Sequence, residues 1–371
     1  MNQTVVSYLS QYEFYDHILA LFGNNQALLA FTIYLLLAVI IVGMCATIGG
    51  LGTYAERKIS ADLQARIGPN RVGPYGLLQM LADGVKMMTK EDIMPFTADK
   101  TLFYLAPLLC LTGVFATLAV LPFSGGFIMA DLNVGIFYLV AISSLVGLGV
   151  FLGGYASNSK WSMLGGMRGA SQIISYEIPV TISILAIVLL AGGMGFGTIV
   201  NHQGGLPHQW FLFHNPFAFM AFFVYGVGAL AETNRAPFDL PEAESELVSG
   251  YHTEYTGMRF GFFALAEYIE VFVVCGVAAS LFLGGYNIPG VTLDILPLQA
   301  VQFTVFMTKT LILYYVVIWI RWTLPRLRVD QLMSICWKYL TPIAILNLMG
   351  CAIWMVVFNG KSMAELILGS H

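Results

Sequence analysis

The chain has 371 residues, of which 58% are hydrophobic and 10% are charged, and its formal net charge is −4. This composition, with a mean hydropathy of +0.76, is typical of a protein that crosses a membrane several times. It excludes a separate soluble domain, because nearly all apolar residues fall in long runs, and we expect no nucleic-acid partner.

A spanning helix needs about 20 apolar residues, and eight runs satisfy this requirement. They lie at about 28–48, 101–122, 133–155, 170–193, 215–232, 258–284, 300–323 and 340–358. The chain is therefore predicted to be an all-α polytopic membrane protein with about eight transmembrane helices plus amphipathic surface helices. We expect a single membrane domain over 1–371, with the bundle at 28–358, and no signal peptide, because no basic region precedes the first apolar run.

The basic residues predict the orientation of these helices. Fifteen of the 17 Lys and Arg residues fall in or beside the first, third, fifth and seventh connections. Short loops rich in Lys and Arg remain on the inner side of a membrane. Both termini are therefore predicted to face the outer side, periplasmic or intermembrane.

The first connection, 49–100, is the longest polar segment. Gly-Pro turns at 68–74 lead into residues 75–90, where Leu, Val and Met recur at helical spacing and predict an amphipathic surface helix. Basic residues here are usually explained by topology and by lipid headgroups. Acidic residues are interleaved with the basic ones, however, and this mixture beside an apolar helix end favours a chamber for an amphipathic ligand.

The acidic loop, 233–257, together with the helix end before it, concentrates carboxylates. Residues 231–255 carry six acidic residues and one basic residue, Arg235, which gives the segment a net charge of −5. Crowded carboxylates hold protons more tightly than isolated ones do. The loop is therefore suited to proton transfer on the cytoplasmic or matrix side.

Ionisable residues inside predicted spans are costly and mark functional candidates. Glu177, Glu267, Glu270 and Lys309 lie within spans, and Glu232 lies at the inner end of its helix. The alternative for Glu270 is pairing near an interface, and for Lys309 it is a structural salt bridge. Taken together, these residues predict a proton path approached from the acidic loop.

The sequence contains no pattern that indicates a bound metal or nucleotide. The five cysteines are scattered without a CxxC pair, which disfavours iron–sulfur ligation. The glycine-rich segment 165–169 follows no strand, so a dinucleotide site is not expected. Three histidines at 202, 208 and 214 are interpreted as interfacial residues rather than as metal ligands, so we expect no metal site.

Several long motifs, in order along the chain, resemble the H-type subunit of NADH-quinone oxidoreductase (respiratory complex I), the membrane subunit beside the quinone site. They are Ala55-Glu56-Arg57-Lys58, Gly68-Pro69-Asn70-Arg71-Val72-Gly73-Pro74-Tyr75-Gly76, Ser175-Tyr176-Glu177, Glu232-Thr233-Asn234-Arg235-Ala236-Pro237-Phe238-Asp239-Leu240, Glu242-Ala243-Glu244-Ser245-Glu246-Leu247-Val248 and Trp319-Ile320-Arg321. The resemblance covers essentially the whole chain after residue 25.

The resemblance implies a division of labour. The chain would form the membrane side of the quinone chamber and link quinone reduction to proton translocation, while partner subunits carry flavin, iron–sulfur clusters and NADH. The partners would be the hydrophilic quinone-site and terminal-cluster subunits and small membrane subunits of the pump arm. Ubiquinone or menaquinone would be the substrate. The protein would lie in the bacterial inner membrane, and the mitochondrial inner membrane is the less favoured alternative.

The resemblance also implies roles for matching residues. Residues lining or bordering the quinone chamber would be Glu56, Arg57, Arg66, Asp83 and Lys86. The acidic funnel and the buried chain would be Glu177, Glu232, Glu242, Glu244, Glu246, Glu254 and Glu267, with Glu270 and Lys309 added from their predicted burial. Arg235 would hold the loop by pairing with its carboxylates.

Three other functions fit parts of the pattern. A homologous subunit of a proton-pumping hydrogenase-type complex would share the fold and the acidic loop. A stand-alone transporter or channel would suit intramembrane Glu and Lys residues, but the sequence shows no clear inverted repeat. A purely structural anchor does not account for Glu177, Glu267 and Lys309 in the spans.

Overall fold

The computed structural model describes residues 25–288, 296–358 and 360–368, and within these ranges the chain is helical apart from turns and one isolated bridge between Ser124 and Phe127. The described residues contain eight long helices. They are α1 (Gln26–Leu63), α2 (Lys100–Leu118), α3 (Gly135–Ala156), α4 (Lys160–Ala191), α5 (Pro216–Glu232), α6 (Gly257–Phe282), α7 (Leu296–Thr323) and α8 (Val329–Val357).

The all-helical membrane fold is confirmed. Among the described residues, seven of the eight helices are long and apolar enough to cross a membrane, and α5, with 17 residues, is shorter. At 1.5 Å per residue α5 is about 25 Å long, close to the roughly 30 Å thickness of the hydrocarbon core. The orientation of the termini stays a prediction.

Two helices extend further than the apolar runs indicated. α1 continues to Leu63 because Ala55, Glu56, Arg57 and Lys58 are good helix formers and the first Gly-Pro pair comes only at Gly68. α4 begins at Lys160, ten residues before the predicted run. The charged motif after the first apolar run and the glycine-rich segment 165–169 are consequently helical rather than loops.

Local capping explains where other helices start. The Asp99 carboxylate accepts hydrogen bonds from the backbone nitrogens of Thr101 and Leu102 and begins α2. Asn215 caps α5 through a bond from the nitrogen of Ala218, with Pro216 in the first helical position. These side chains satisfy backbone donors that have no partner within the helix.

Short helices cover the ends of the bundle. The predicted amphipathic helix is present as Gln79–Thr89, here called the surface helix, and its apolar residues Leu81, Val85 and Met88 are exposed. Other short elements are Phe196–His202, Glu244–Leu247, Met363–Leu368, the 3-10 turns Pro74–Gly76, Pro207–Gln209, Phe211–Phe213 and Gly250–His252, and a π-helical turn within α8 at Ile335–Leu340.

The chain divides into two compact units, Met1–Ile48 and Gly49–His371. In the second unit, the buried ring of Tyr176 on α4 packs against Phe238 of the acidic loop. Its hydroxyl donates to the carbonyl oxygen of Leu332 in α8 at 2.9 Å. The core of this unit therefore joins α4 and α8 to the loop that follows α5.

Glycines bring α4 into direct backbone contact with its neighbours. A methyl group at Gly165 would lie 2.7 Å from the backbone nitrogen of Tyr251 and 2.9 Å from the carbonyl carbon of Gly250. A methyl group at Gly166 would lie 3.0 Å from the Cα atom of Gly154 on α3. The second half of the acidic loop therefore rests on α4 where only glycine fits.

Replacing Gly165 with Ala should push the Gly250–Tyr251 backbone away from α4. Overpacking of this kind costs about 1–3 kcal/mol, so the thermal midpoint of the assembled complex should fall. Gly84→Ala on the surface helix is the matched control, because nothing lies within 4 Å of the added methyl group. Equal midpoints for the two variants would show that the loop does not rest on α4.

Candidate functional site

Four charged side chains from four segments meet at the end of the bundle that carries the acidic loop. Glu56 comes from α1, Arg235 from the start of the acidic loop, Glu267 from α6 and Arg321 from the end of α7. Glu56 is 7% exposed and Arg235 is 3% exposed. We call this group the carboxylate–arginine cluster.

Arg235 is the centre of the cluster. Its Nη1 lies 3.3 Å from Oε2 of Glu56, and its Nε lies 3.4 Å from Oε1 of Glu267. The guanidinium also lies 4.4 Å from the centroid of the Tyr268 ring, a cation–π contact. Its Nη2 is buried without a hydrogen-bond partner in the described part of the chain. Two carboxylates and an aromatic face therefore offset the cost of burying this cation.

Arg321 completes the cluster from the opposite side of Glu56. Its Nη1 donates to Oε1 of Glu56, the carboxylate oxygen that Arg235 does not contact. Glu56 therefore accepts one hydrogen bond from each arginine. Glu56 is thus held between two cationic side chains, one from the acidic loop and one from α7.

The rest of the acidic loop is tied to the bundle by further polar contacts. Asp239 pairs with Arg326 at 2.9 Å, and Glu246 pairs with Arg168 of α4 at 2.6 Å. Glu242 lies 3.5 Å from the Tyr251 hydroxyl. Glu242 also lies 3.4 Å from Nδ1 of His252. Glu254 is half-buried, and the side chain of Glu244 lies outside the described residues.

Burial, and after it the neighbouring charge of Asp239, raise the pKa of Glu242 to about 7, against the opposing effects of Arg235, Arg321 and the hydrogen bond from Tyr251. Burial also raises the pKa of Asp239, against the opposing effects of Arg326 and Arg321. Glu242 therefore takes up and releases a proton close to neutral pH. Burial is the main cause of both shifts, and crowding by a second carboxylate contributes only at Glu242.

The shifted pKa of Glu242 makes stability depend on pH. Between pH 4.5 and pH 7 the folded protein still binds the proton of Glu242, whereas the unfolded chain has lost it. The free energy of unfolding therefore falls as the pH rises from about 4.5 to 7, by up to about 1.4 kcal/mol per pH unit. Glu242→Gln keeps a hydrogen-bonding side chain without the titration. We expect the thermal midpoint of the wild-type complex, relative to this variant, to fall over that range. A difference that stays constant with pH would contradict the assignment.

Three carboxylates of the predicted relay line one small internal cavity. Glu177 of α4, Glu232 of α5 and Glu270 of α6 surround a space of about 30 Å³, together with Ser143 of α3. The remaining lining is mostly apolar, including Val180. A space of this size holds one water molecule when polar groups are available to bind it. The cavity therefore places three carboxylates around a position where a single water could pass protons between them.

The cluster and the cavity are joined through α6. Glu267 of the cluster and Glu270 of the cavity are three residues apart, so their side chains lie on one face of the helix within about 5–6 Å at the Cβ atoms. The order is therefore acidic loop, carboxylate–arginine cluster, and then cavity. Such a series of closely spaced carboxylates can relay protons by alternate protonation.

The residues predicted to border the quinone chamber separate into two groups. Glu56 belongs to the buried cluster. Arg57 pairs with Asp83 of the surface helix at 2.6 Å, and Lys86 lies 3.7 Å from the same carboxylate. Arg66 is exposed and donates to Gln64 at 2.6 Å. The surface helix is thus attached to α1 through Arg57, the residue that follows Glu56 of the cluster.

Lys309 lies away from the carboxylates. Its Nζ donates to the carbonyl oxygens of Leu283 and Gly285, at 2.7 and 2.8 Å, and lies 4.8 Å from the centroid of the Trp210 ring. These carbonyls follow the C-terminal end of α6, about 20 Å along that helix from Glu270. Here the lysine caps the helix end, where a cation is favoured.

Sequence reasoning missed two arginines that the structure places among these residues. Arg321 belongs to the Trp319-Ile320-Arg321 motif and to a basic connection, but it was given no role in the site; it is the sole basic residue of the last turn of α7. Arg259 pairs with Asp92 at 2.7 Å and lies over the ring of Tyr104, which holds the start of α6 against the first connection. In the described ranges, no three His, Cys, Asp or Glu side chains are grouped to hold a metal ion.

The chain is similar to known proteins over most of its length. The family described as NADH dehydrogenase matches residues 35–352. The H-type subunit of NADH-quinone oxidoreductase from Chlorobaculum tepidum is 49% identical over 82% of this chain and 87% of its own length. The corresponding proteins of Anaeromyxobacter dehalogenans (45% identical, 86% of this chain, 81% of its own length) and Bacillus cytotoxicus (48%, 86% and 92%) are similar over the same extent.

The match covers most of the chain, including the cluster, the cavity and the acidic loop. Identity near one half over more than four fifths of both chains is far above what a shared membrane fold alone would require. The chain therefore belongs to the family of H-type subunits of NADH-quinone oxidoreductase.

Proposed function

We propose that this chain couples quinone reduction to proton translocation through the series of carboxylates described above. As a member of its family, the chain is a membrane subunit of the proton-translocating NADH-quinone oxidoreductase. Other subunits of that complex are its partners. The redox cofactors and NADH would belong to the hydrophilic arm, and the chain itself would contact the quinone.

The observation that carries the proposal is the shared cavity of Glu177, Glu232 and Glu270. Glu232 and Glu270 are buried and Glu177 is half-buried, and acidic side chains inside a membrane bundle are costly. Glu270 lies one helical turn from Glu267 of the cluster, which supports a relay rather than a set of independent structural pairs.

In the proposed mechanism, a change of charge at the quinone shifts the pKa values of the carboxylates. Reduction of a quinone to a quinol consumes two electrons and two protons, which changes the charge beside the cluster. Glu56, Arg57, Arg66, Asp83 and Lys86 are the proposed border of the quinone chamber. A new charge there shifts the pKa values of nearby carboxylates, first in the acidic loop and then, through Glu267, in the cavity.

The residues of the proposed relay would have different roles. Glu242, with Glu244, Glu246 and Glu254, would collect protons at the loop, and Arg235 would hold the loop to the bundle. Glu267 and Glu270 would pass the change along α6 to Glu177 and Glu232. Lys309 would contribute its positive charge at the far end of α6, beside the helix terminus.

The quinone-linked function is favoured over the alternatives. The named relatives are quinone oxidoreductase subunits, which favours a quinone over the acceptor of a hydrogenase-type complex. Charged motifs on the exposed first connection support docking to a soluble arm, which a stand-alone transporter does not need. The bacterial relatives support location in a bacterial inner membrane.

Glu177→Gln is the first test of the relay. Removing this carboxylate should reduce NADH-driven quinone reduction at least about tenfold, as loss of a proton-transfer group does, in the assembled complex. NADH–ferricyanide activity of the hydrophilic arm should stay unchanged. Glu91→Gln, on the exposed first connection, provides the same chemical change outside the relay. Wild-type quinone reduction in Glu177→Gln would contradict the proposal.

A further inference from the structure

A second space in the bundle is an apolar groove between α5, α6 and α7. Its volume is about 230 Å³, and its lining includes Phe223, Gly226, Val271 and Val316. Phe223 and Val316 are exposed, so the groove is open along the outer surface of this part of the bundle. The carboxylate relay does not use this space.

The size of the groove indicates what can fill it. An apolar cavity of about 150 Å³ already binds benzene, so this volume accepts a stretch of hydrocarbon chain. A neighbouring helix, about 10–12 Å across, places only individual side chains in such a groove, whereas an acyl chain fills it along its length. Since the chain is an integral membrane subunit in which α6 and α7 are long and apolar enough to span the bilayer, hydrocarbon chains of lipids are the medium around these helices.

The end of the groove nearest the acidic loop fits a lipid headgroup. The lining ends there at Thr233 and Ile320. Trp319 and Trp322 are exposed on the same turns of α7, and aromatic side chains of this kind mark the level of the membrane interface. Arg328, eight residues after Ile320 in the segment between α7 and α8, is exposed and forms no ion pair with a carboxylate of the described residues. A basic residue in the segment that follows this end of α7 complements the phosphate of a phospholipid.

The groove and the carboxylate cavity share a wall. Tyr225 and Val274 line both spaces, and the Tyr225 hydroxyl donates to the carbonyl oxygen of Val274 at 2.9 Å. A chain in the groove would press on this wall from the membrane side. We propose that a membrane phospholipid places an acyl chain in the groove, with its headgroup towards Arg328, and thereby supports the wall of the cavity.

Photolabelling of the assembled complex tests this site. The complex is reconstituted with phosphatidylglycerol that carries a diazirine in the middle of one acyl chain, and labelled peptides are identified by mass spectrometry. Labelling of the groove segments of α5 and α7 should exceed labelling of the exposed face of α8 at Leu346 and Ile353 at least threefold. The readout requires no turnover, so it is independent of the proposed relay.

Gly226 provides a matched pair of variants. A Cβ atom added at this position meets nothing within 4 Å, so Gly226→Ala is accommodated and leaves most of the groove open, whereas Gly226→Leu places three further carbon atoms at the groove lining. Groove labelling should be at least fivefold lower in the Leu variant than in the wild type, and it should be unchanged in the Ala variant. Labelling of α8 should be equal in both variants. Equal labelling of groove and α8 in the wild type, unchanged groove labelling in Gly226→Leu, or crosslinks from the groove to a helix of another subunit would each overturn the proposal.

Discussion

Replacing Arg235 with Met should prevent stable assembly of the complex. The substitution leaves Glu56 without one of its two arginines and Glu267 without its paired cation in a buried site. Removing one member of a buried ion pair costs about 3–5 kcal/mol, because the remaining charge is left uncompensated. The measurement is the yield on a native gel together with the thermal midpoint of the purified complex.

Two companion variants make this result specific. Arg168→Met breaks a more exposed pair, in which the partner Glu246 is 52% exposed, and should cost only about 0–1 kcal/mol. Arg235→Met combined with Glu56→Gln and Glu267→Gln removes the uncompensated charges and should recover part of the stability. Wild-type yield and thermal midpoint in Arg235→Met alone would show that the cluster is not a buried charge network.

Glu270→Gln and Glu232→Gln should each reduce quinone-linked proton pumping at least about tenfold, since each removes a carboxylate that would take a proton in the relay. The two side chains line the same cavity, so their effects should not add. Residues that act as one unit give a double variant about as impaired as each single variant. Pumping is measured in vesicles driven by NADH, with assembly checked by native gel.

The control for these variants is again Glu91→Gln, which should pump at the wild-type rate. Effects that multiply in the double variant would indicate that Glu232 and Glu270 act in separate paths. Wild-type pumping in both single variants would remove the cavity from the proposed mechanism.

The helices were predictable from sequence because hydrophobicity is a local property. Runs such as 101–122 and 258–284 correspond to α2 and α6 within a few residues. The amphipathic pattern at 75–90 likewise located the surface helix. The predicted ends were less accurate at α1 and α4, because polar helix formers continue both helices beyond the apolar residues.

The site was only partly predictable, because it depends on contacts between distant segments. Crowding of acid at 231–255 identified the loop, and isolated glutamates in apolar runs identified the residues of the cavity. No local pattern indicates that Arg321 would reach Glu56, 265 residues away in sequence. Lys309 could equally have faced the glutamates, and only the packing of α6 against α7 places it at the helix end.

The carboxylate relay is tested most directly by an infrared difference spectrum of the assembled complex. The spectrum compares the oxidised complex with the complex reduced by NADH during turnover with quinone. If the cavity carboxylates exchange protons during turnover, the wild type shows a change in the carbonyl stretch of protonated carboxylic acids. Part of this change should be missing in Glu232→Gln and in Glu270→Gln, and it should be retained in Glu91→Gln. A carboxylic-acid signal that is identical in the wild type and all three variants would contradict the relay.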